Sequence, residues 1–524
     1  MHYRHWVGRN RGKNLNYGPR YNGDQKKSKE IIRNARFWRQ TDHFKEGVIV
    51  IVKSRLRLCL LLTVLGCCSP CLSLWGIELG PLYDSFPLTL QPELKRTEIL
   101  GPLLSLEKST KESGWTFSPL MNFRRNSAVE NTTFDLLYPV ITLDRYGTEY
   151  RFQIFQVISL SGGNNQKQET KRRFTLFPFY FQQRAPNPDD NYTALLPIYG
   201  TLKNRLLRDR IHFVLMPLYV QTYKRDLRTD NYLMPFFHVR HGNGLKGWQF
   251  WPVVGKEHKE ITTKTNGFGE VEIVPGHEKF FALWPFHFRN DIGIGSTNQE
   301  KQRVYLPVYA SMTSPARDTK MYGFPLGFTK INNREQKYRE WGAPWPLVTF
   351  ARGEGKTANR IWPLFGFAKN PTLESDFVAW PIYKYNRIQS DPLDRQRTRI
   401  LFFLYSDLTE KNTVRGTAYR RTDLWPLFTA DRDHDGNERL QILAPVEVAF
   451  AKNETIRRVY SPIWSLWRSE KNGKTGAYSE SLLWNLYRRE ESKAGKKVAF
   501  LFGLFQYRAD AEGKHFKLFY IPIK

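Results

Sequence analysis

The chain is predicted to be all-β, a repetitive antiparallel up-and-down meander of about 22 strands, on three observations. They are a proline-centred repeat, hairpin residues between the repeats, and a two-residue alternation of side chains. The repeat is seen in Phe177-Pro178-Phe179-Tyr180, Met216-Pro217-Leu218-Tyr219, Trp362-Pro363-Leu364-Phe365 and Trp425-Pro426-Leu427-Phe428. From Pro81 to Pro522, 19 prolines are each followed by Leu, Ile, Val or Phe, and Gln156, Phe403, Asn485 and Gly503 hold the same slot without proline. Neighbouring slots are 17 to 23 residues apart, except for a gap of 33 between Pro252 and Pro285. A fixed period of this kind is the mark of one supersecondary unit used many times.

Between the slots lie Asp435-Gly436-Asn437, Lys471-Asn472-Gly473-Lys474, Lys493-Ala494-Gly495 and Glu512-Gly513. Gly and Asn accept the positive φ of tight turns, so these are hairpin connections. In Leu440 to Phe450 one face carries Leu440, Ile442, Ala444, Val446, Val448 and Phe450, while Gln441, Leu443, Pro445, Glu447 and Ala449 lie on the other; that alternation is a strand's. Proline cannot donate to a ladder and is confined to edges, strand starts and bulges. Since nineteen strands cannot all be edges, each proline is expected at a mid-strand bulge, with Trp, Tyr and Phe lining a continuous corner.

The first 73 residues have a different character. Residues 1–51 are basic and without periodicity, a disordered tail or a stretch ahead of the true start at Val48, Val50 or Val52. Residues 52–73 follow Lys53-Ser-Arg-Leu-Arg57 with an apolar run from Leu58 to Cys68 and then small residues, the order of an export signal. That run is far short of the roughly 20 residues of a spanning helix. All four cysteines, Cys59, Cys67, Cys68 and Cys71, fall inside it, so a chain cleaved there has neither disulfide nor thiolate site. Val64-Leu65-Gly66-Cys67 loosely fits a lipidation box at Cys67. Residues 74–524 then make a single β-repeat domain.

The formal net charge is +30, and residues 74–524 keep +19 of it. The charges sit in the connections, where they solvate turns and protect strand edges. They also suit an anionic partner, outer-membrane lipid or an anionic envelope polymer. An exported chain without a nucleic-acid motif is not expected to bind nucleic acid.

A sheet this long must curl, close or split. Twenty residues per unit, an export signal and the absence of an apolar helix resemble the bacterial outer-membrane β-barrels as a class, and imply a large barrel in the cell outer membrane. Against this stand the terminal Ile523-Lys524 and the mid-strand prolines. The alternative is a soluble exported repeat fold, a solenoid or propeller in the periplasm or outside the cell, binding saccharide or protein through its aromatic corner.

Chemistry is sparsely signalled. Asp431, Asp433 and Asp435 ahead of Gly436 have the spacing of a calcium loop, but Glu438 and Ile442 stand where an apolar residue and a glutamate are required. Calcium is the one cofactor this turn suggests. His258 and His277 share the 255–280 connection with Glu257, Glu260 and Glu278. No zincin, P-loop or nucleophile-elbow motif occurs. The expected function is non-enzymatic, an outer-envelope pore, transport element or surface scaffold, with the 255–280 segment as a loop over the lumen.

Overall fold

The computed structural model describes residues 80–164, 170–265, 267–451 and 453–523. Glu78–Lys524 forms one compact unit. The basic N-terminal stretch, the export segment, the cysteines and lipidation at Cys67 lie outside the described residues. Antiparallel strands of three to eight residues follow one another, each paired with its neighbour in sequence, and build a sheet of 43 strands. The all-β meander is present, with about twice the expected number of strands.

The difference lies in the proline. In the unit around Pro139, strand Asn131–Leu136 ends, residues 137–140 turn, and strand Ile141–Tyr146 returns beside it in register Leu136↔Ile141. The turn is closed by Val140 N–H donating to Leu137 O at 2.9 Å. Each period therefore holds two short strands and two turns, one apolar with proline and one polar with Gly or Asn. A residue without an N–H loses nothing at a turn apex, because no ladder bond is asked of it there. The repeat prolines from Pro119 to Pro426 follow cis peptide bonds, and Leu137, Leu215, Leu233 and Leu283, two positions before theirs, have φ of 45 to 50°. Where proline is absent, Gln156, Asn485 and Gly503 take its place at φ of 57, 64 and 86°. The expected mid-strand bulge is thus corrected to a turn.

Successive proline turns also bond to one another. Met234 N–H donates to Pro217 O, Trp284 N–H to Pro252 O and Trp380 N–H to Pro363 O, at 2.7, 2.7 and 2.8 Å. The apolar turns consequently form a hydrogen-bonded rim along one end of the strands. The polar turns at the other end bond to their neighbours as well, Gly147 N–H to Glu130 O and Thr413 N–H to Pro392 O, both at 2.9 Å, and side chains hold them further, as where Asn412 Oδ1 accepts from Val414 and Arg415 N–H.

Residues directly opposite in a ladder share a face. On one face the row beside the proline turns runs Phe117, Met121, Leu136, Ile141, Ile154, Ile158, Leu176, Tyr180, Leu195 and Tyr199, each opposite the next. It continues to Tyr487, Phe500, Phe505, Leu518 and Ile521 at the far end. Much of this row is exposed, Tyr199 at 60% and Phe505 at 44%. The opposite face is buried and largely polar, with Ser105, Thr116, Asp135, Thr142, Ser406, Asp423, Thr429 and Ser481. Its main apolar cluster is local: Phe181, Tyr192, Ala194, Leu202, Ile211, Phe213 and Val220.

Two expected units do not form strands. The alternation from Leu440 to Phe450 stops at Ile442, and residues 443–466 make an insertion with a π-helical turn Ile456–Tyr460 and a helical turn Ser461–Trp464. Strands Glu438–Ile442 and Trp467–Lys471 still pair across it, so the insertion replaces one apolar turn. The 255–280 segment is likewise no loop. Strands Val254–Lys259 and Gly276–Ala282 pair directly, and the residues between form a separate hairpin, Thr262–Thr265 with Val271–Val274.

A charged cavity where the two ends of the sheet meet

The first and last portions of the sheet meet through side chains. Asn485 Nδ2 donates to Glu98 Oε2 at 3.0 Å, the Arg488 guanidinium stacks 3.4 Å from the Phe86 ring, and Asn472 Nδ2 donates to Thr89 O at 3.2 Å. The insertion bridges the same two regions. Arg458 pairs with Glu107 at 2.9 Å, Asn453 Nδ2 donates to the Tyr138 hydroxyl at 2.7 Å, and Tyr460 O–H donates to Tyr138 O at 2.9 Å. Toward its own sheet, Arg421 donates to Glu447 O and Ala451 O, both at 2.9 Å.

Between these parts lies a cavity of about 340 Å³. Its walls carry Arg96, Arg421, Arg457, Arg458, Arg468 and Arg488 among other arginines, and Glu98, Glu107, Asp431, Glu447, Glu470 and Glu480 among the acids. The acids already have partners. Glu98 lies 2.9 Å from Arg96, Asp431 3.8 Å from Arg457 and Glu470 3.9 Å from Arg439. Glu447, 4% exposed, accepts from Trp464 Nε1 at 3.0 Å, Gln441 Nε2 at 2.7 Å and Ser461 Oγ. Glu480 accepts from Tyr478 and Tyr487 hydroxyls at 2.7 and 3.1 Å, and burial together with that bond pushes the Tyr478 phenol up to about 12. The guanidinium groups of this wall keep their charge at any working pH.

The acidic turn is drawn apart. Asp431 is the member that lines the cavity. Asp433 accepts from Asp435 N–H at 2.9 Å, and from Asn437 N–H and Nδ2 at 3.0 and 2.9 Å, closing the turn as an Asx cap. Asp435 pairs with Lys474 at 2.9 Å. Calcium there would have to displace each of these partners. The histidines of 255–280 also separate: His277 Nε2 bonds Glu257 at 2.7 Å, and His258 pairs with Glu278 at 3.2 Å. Asp510, Glu512 and His515 place potential metal-ligand atoms within 4.8 Å of one another, but Asp510 already holds Arg508 at 2.7 Å and the Glu512 N–H at 3.0 Å. Sequence reasoning missed the cavity because its walls come from segments more than 300 residues apart. No protein-family model matches the chain, and no curated protein matches it.

Proposed function

We propose that the protein is a non-enzymatic scaffold of the cell's outer envelope, seated by its proline-turn rim in one leaflet of the outer membrane. The observation that carries this is the long apolar row on the exposed face, interrupted by His287 between Ala282 and Tyr305, beside turns that are themselves apolar. At the rim Leu215, Leu218, Leu283, Phe286, Leu364 and Ile382 are between 51% and 64% exposed. A contiguous exposed apolar belt marks an interaction surface. Lipid is favoured as its partner because the turns bond to each other, and backbone placed in hydrocarbon must find its partners within the protein.

The depth of the belt sets how far it enters. One row further from the rim, the same face is mixed: it exposes Lys256, Arg289, Lys320 and Lys330, and in the same row Leu160, Trp248, Trp341, Phe367 and Phe516. The predominantly apolar zone is therefore a turn and one row deep, on the order of 10 Å at about 3.3 Å per residue, with a mixed apolar and basic row beyond it. A spanning barrel needs an apolar band of about 25 Å. Interfacial elements enter by about 5–10 Å. The sheet thus suits the outer part of a bilayer, with its polar turns in water and the exposed lysines and arginines at the level of anionic headgroups.

Flotation of the full-length protein with anionic vesicles tests this. Binding is expected to resist high salt, and the combined change Leu218→Ser, Leu283→Ser and Leu364→Ser is expected to release the protein. Each leucine contributes up to about 1.5–3 kcal/mol when fully buried. Release by salt alone, or full retention of the triple variant, would overturn the proposal.

A further inference from the structure

We infer that the cavity between the two ends of the sheet is a binding site for an oxyanion, a phosphate or sulfate group, centred on Arg468. Arg468 lies on strand Trp467–Lys471, opposite Gln441 on one side and Ser481 on the other, on the buried face. Its side chain is enclosed by protein yet remains partly accessible, and the space it faces is the cavity. It makes no hydrogen bond or ion pair among the described residues.

A charge in such a place is costly unless paired. Glu98 and Glu470 pull on it electrostatically, but neither forms an ion pair with it among the described residues, since Glu98 lies 2.9 Å from Arg96 and Glu470 3.9 Å from Arg439, while Glu480 accepts from two tyrosines. Further donors line the same cavity, Arg96, Ser481 and Arg488 among them. The buried Arg96 Nη2 has no hydrogen-bond partner, and Ser481 lies between Arg468 and Arg488 in the ladder. Burial and the neighbouring Arg96 and Arg488, against opposing pulls from Glu98 and Glu470, hold the Arg468 guanidinium below its usual value. Planar guanidinium forks match the oxygens of phosphate and sulfate. A volume of about 340 Å³ lies at the small end of ligand sites, which begin at about 300 Å³. It holds an oxyanion together with a small body such as a sugar or glycerol unit.

The site does not depend on the lipid-seated function, and the two fail separately. The test is thermal unfolding of the full-length protein titrated with inorganic phosphate or sulfate against chloride at equal ionic strength, and, in a second arm, with phosphatidylglycerol against phosphatidylcholine vesicles. The wild type is expected to show a saturating rise in melting temperature in at least one arm. In phosphate-free buffer Arg468→Gln is expected to melt no lower than the wild type, because an unpaired enclosed charge is gone, and to lose that rise. Arg334→Gln, remote on an exposed pair with Asp318, is expected to keep it. A response to phosphate identifies a free oxyanion ligand, and a response confined to the anionic vesicles identifies a lipid headgroup. An absent response in both arms, or one that Arg468→Gln retains, would overturn the site.

Discussion

Single side chains on the buried face are charged far more often than a soluble core allows, and their pairing decides stability locally. Lys384 and Arg399 stand directly opposite in the ladder of strands Tyr383–Ser390 and Leu393–Ile400, and neither pairs with an acid among the described residues. Like charges in that geometry repel by about 0.2–1 kcal/mol. Arg399→Gln is therefore expected to raise the urea midpoint of unfolding, and a fall would show that an unseen partner outweighs the repulsion. Glu257 behaves in the opposite sense. Burial alone would raise its pKa, but Arg240, the bond from His277 and Lys279 outweigh that and hold it below the usual 4.5. Burial likewise holds His277 below its usual 6.5, against the bond to Glu257 and with help from Lys279 and Lys259. Both depressed values stabilise the fold at neutral pH: the His277 contribution is complete above 6.5 and erodes as pH falls below it, and the Glu257 contribution erodes below 4.5. Amide-exchange protection of Gly276–Ala282 is expected to decline in that order on acidification, with His277→Gln removing the upper step. Protection that increases toward acid would contradict it.

At the scale of elements, the polar turns were legible and the apolar ones were not. Gly436, Asn472 and Gly495 announce their turns by conformational freedom, and each lies in or beside a connection between strands. Leu137-Tyr138-Pro139-Val140 makes a turn from residues whose types belong to strand centres, so alternation passed through it unbroken. Strand length was the overlooked signal. A twenty-residue period with one strand each exceeds the usual 3–10 residues, whereas two strands and two turns fit it. The cavity was hidden for another reason: Phe86, Glu107 and Tyr138 meet Arg488, Arg458 and Asn453 through side chains, and no local pattern encodes such a meeting. Replacing residues 444–465 by a tight apolar turn like that at Pro426 leaves the ladder between Glu438–Ile442 and Trp467–Lys471 possible. It removes the bridge to Glu107 and Tyr138. Exchange is then expected to rise in strands Leu104–Lys108 and Asn131–Leu136 while Gly495–Phe500 is unchanged; a uniform rise would mean that the insertion supports the whole sheet.

For the whole molecule, the arrangement is the reverse of a water-soluble sandwich. Small polar and charged groups fill most of the buried face, and the large apolar groups concentrate on the exposed face and one rim. The proline repeat is the device that makes the rim, because it turns the chain with Trp, Leu and Phe where Gly and Asn would otherwise stand. That single asymmetry, apolar turns at one end and charged turns at the other, is what the proposed seating in a lipid leaflet rests on. Depth-dependent fluorescence quenching tests it most directly, since Trp284, Trp362, Trp380 and Trp425 precede rim prolines and are between 38% and 45% exposed. With the protein bound to vesicles, lipids brominated near the headgroup end of the acyl chain are expected to quench these tryptophans more strongly than lipids brominated near the bilayer centre, with emission shifted to the blue. Water-like emission without quenching, or strongest quenching from the bilayer centre, would contradict seating in one leaflet.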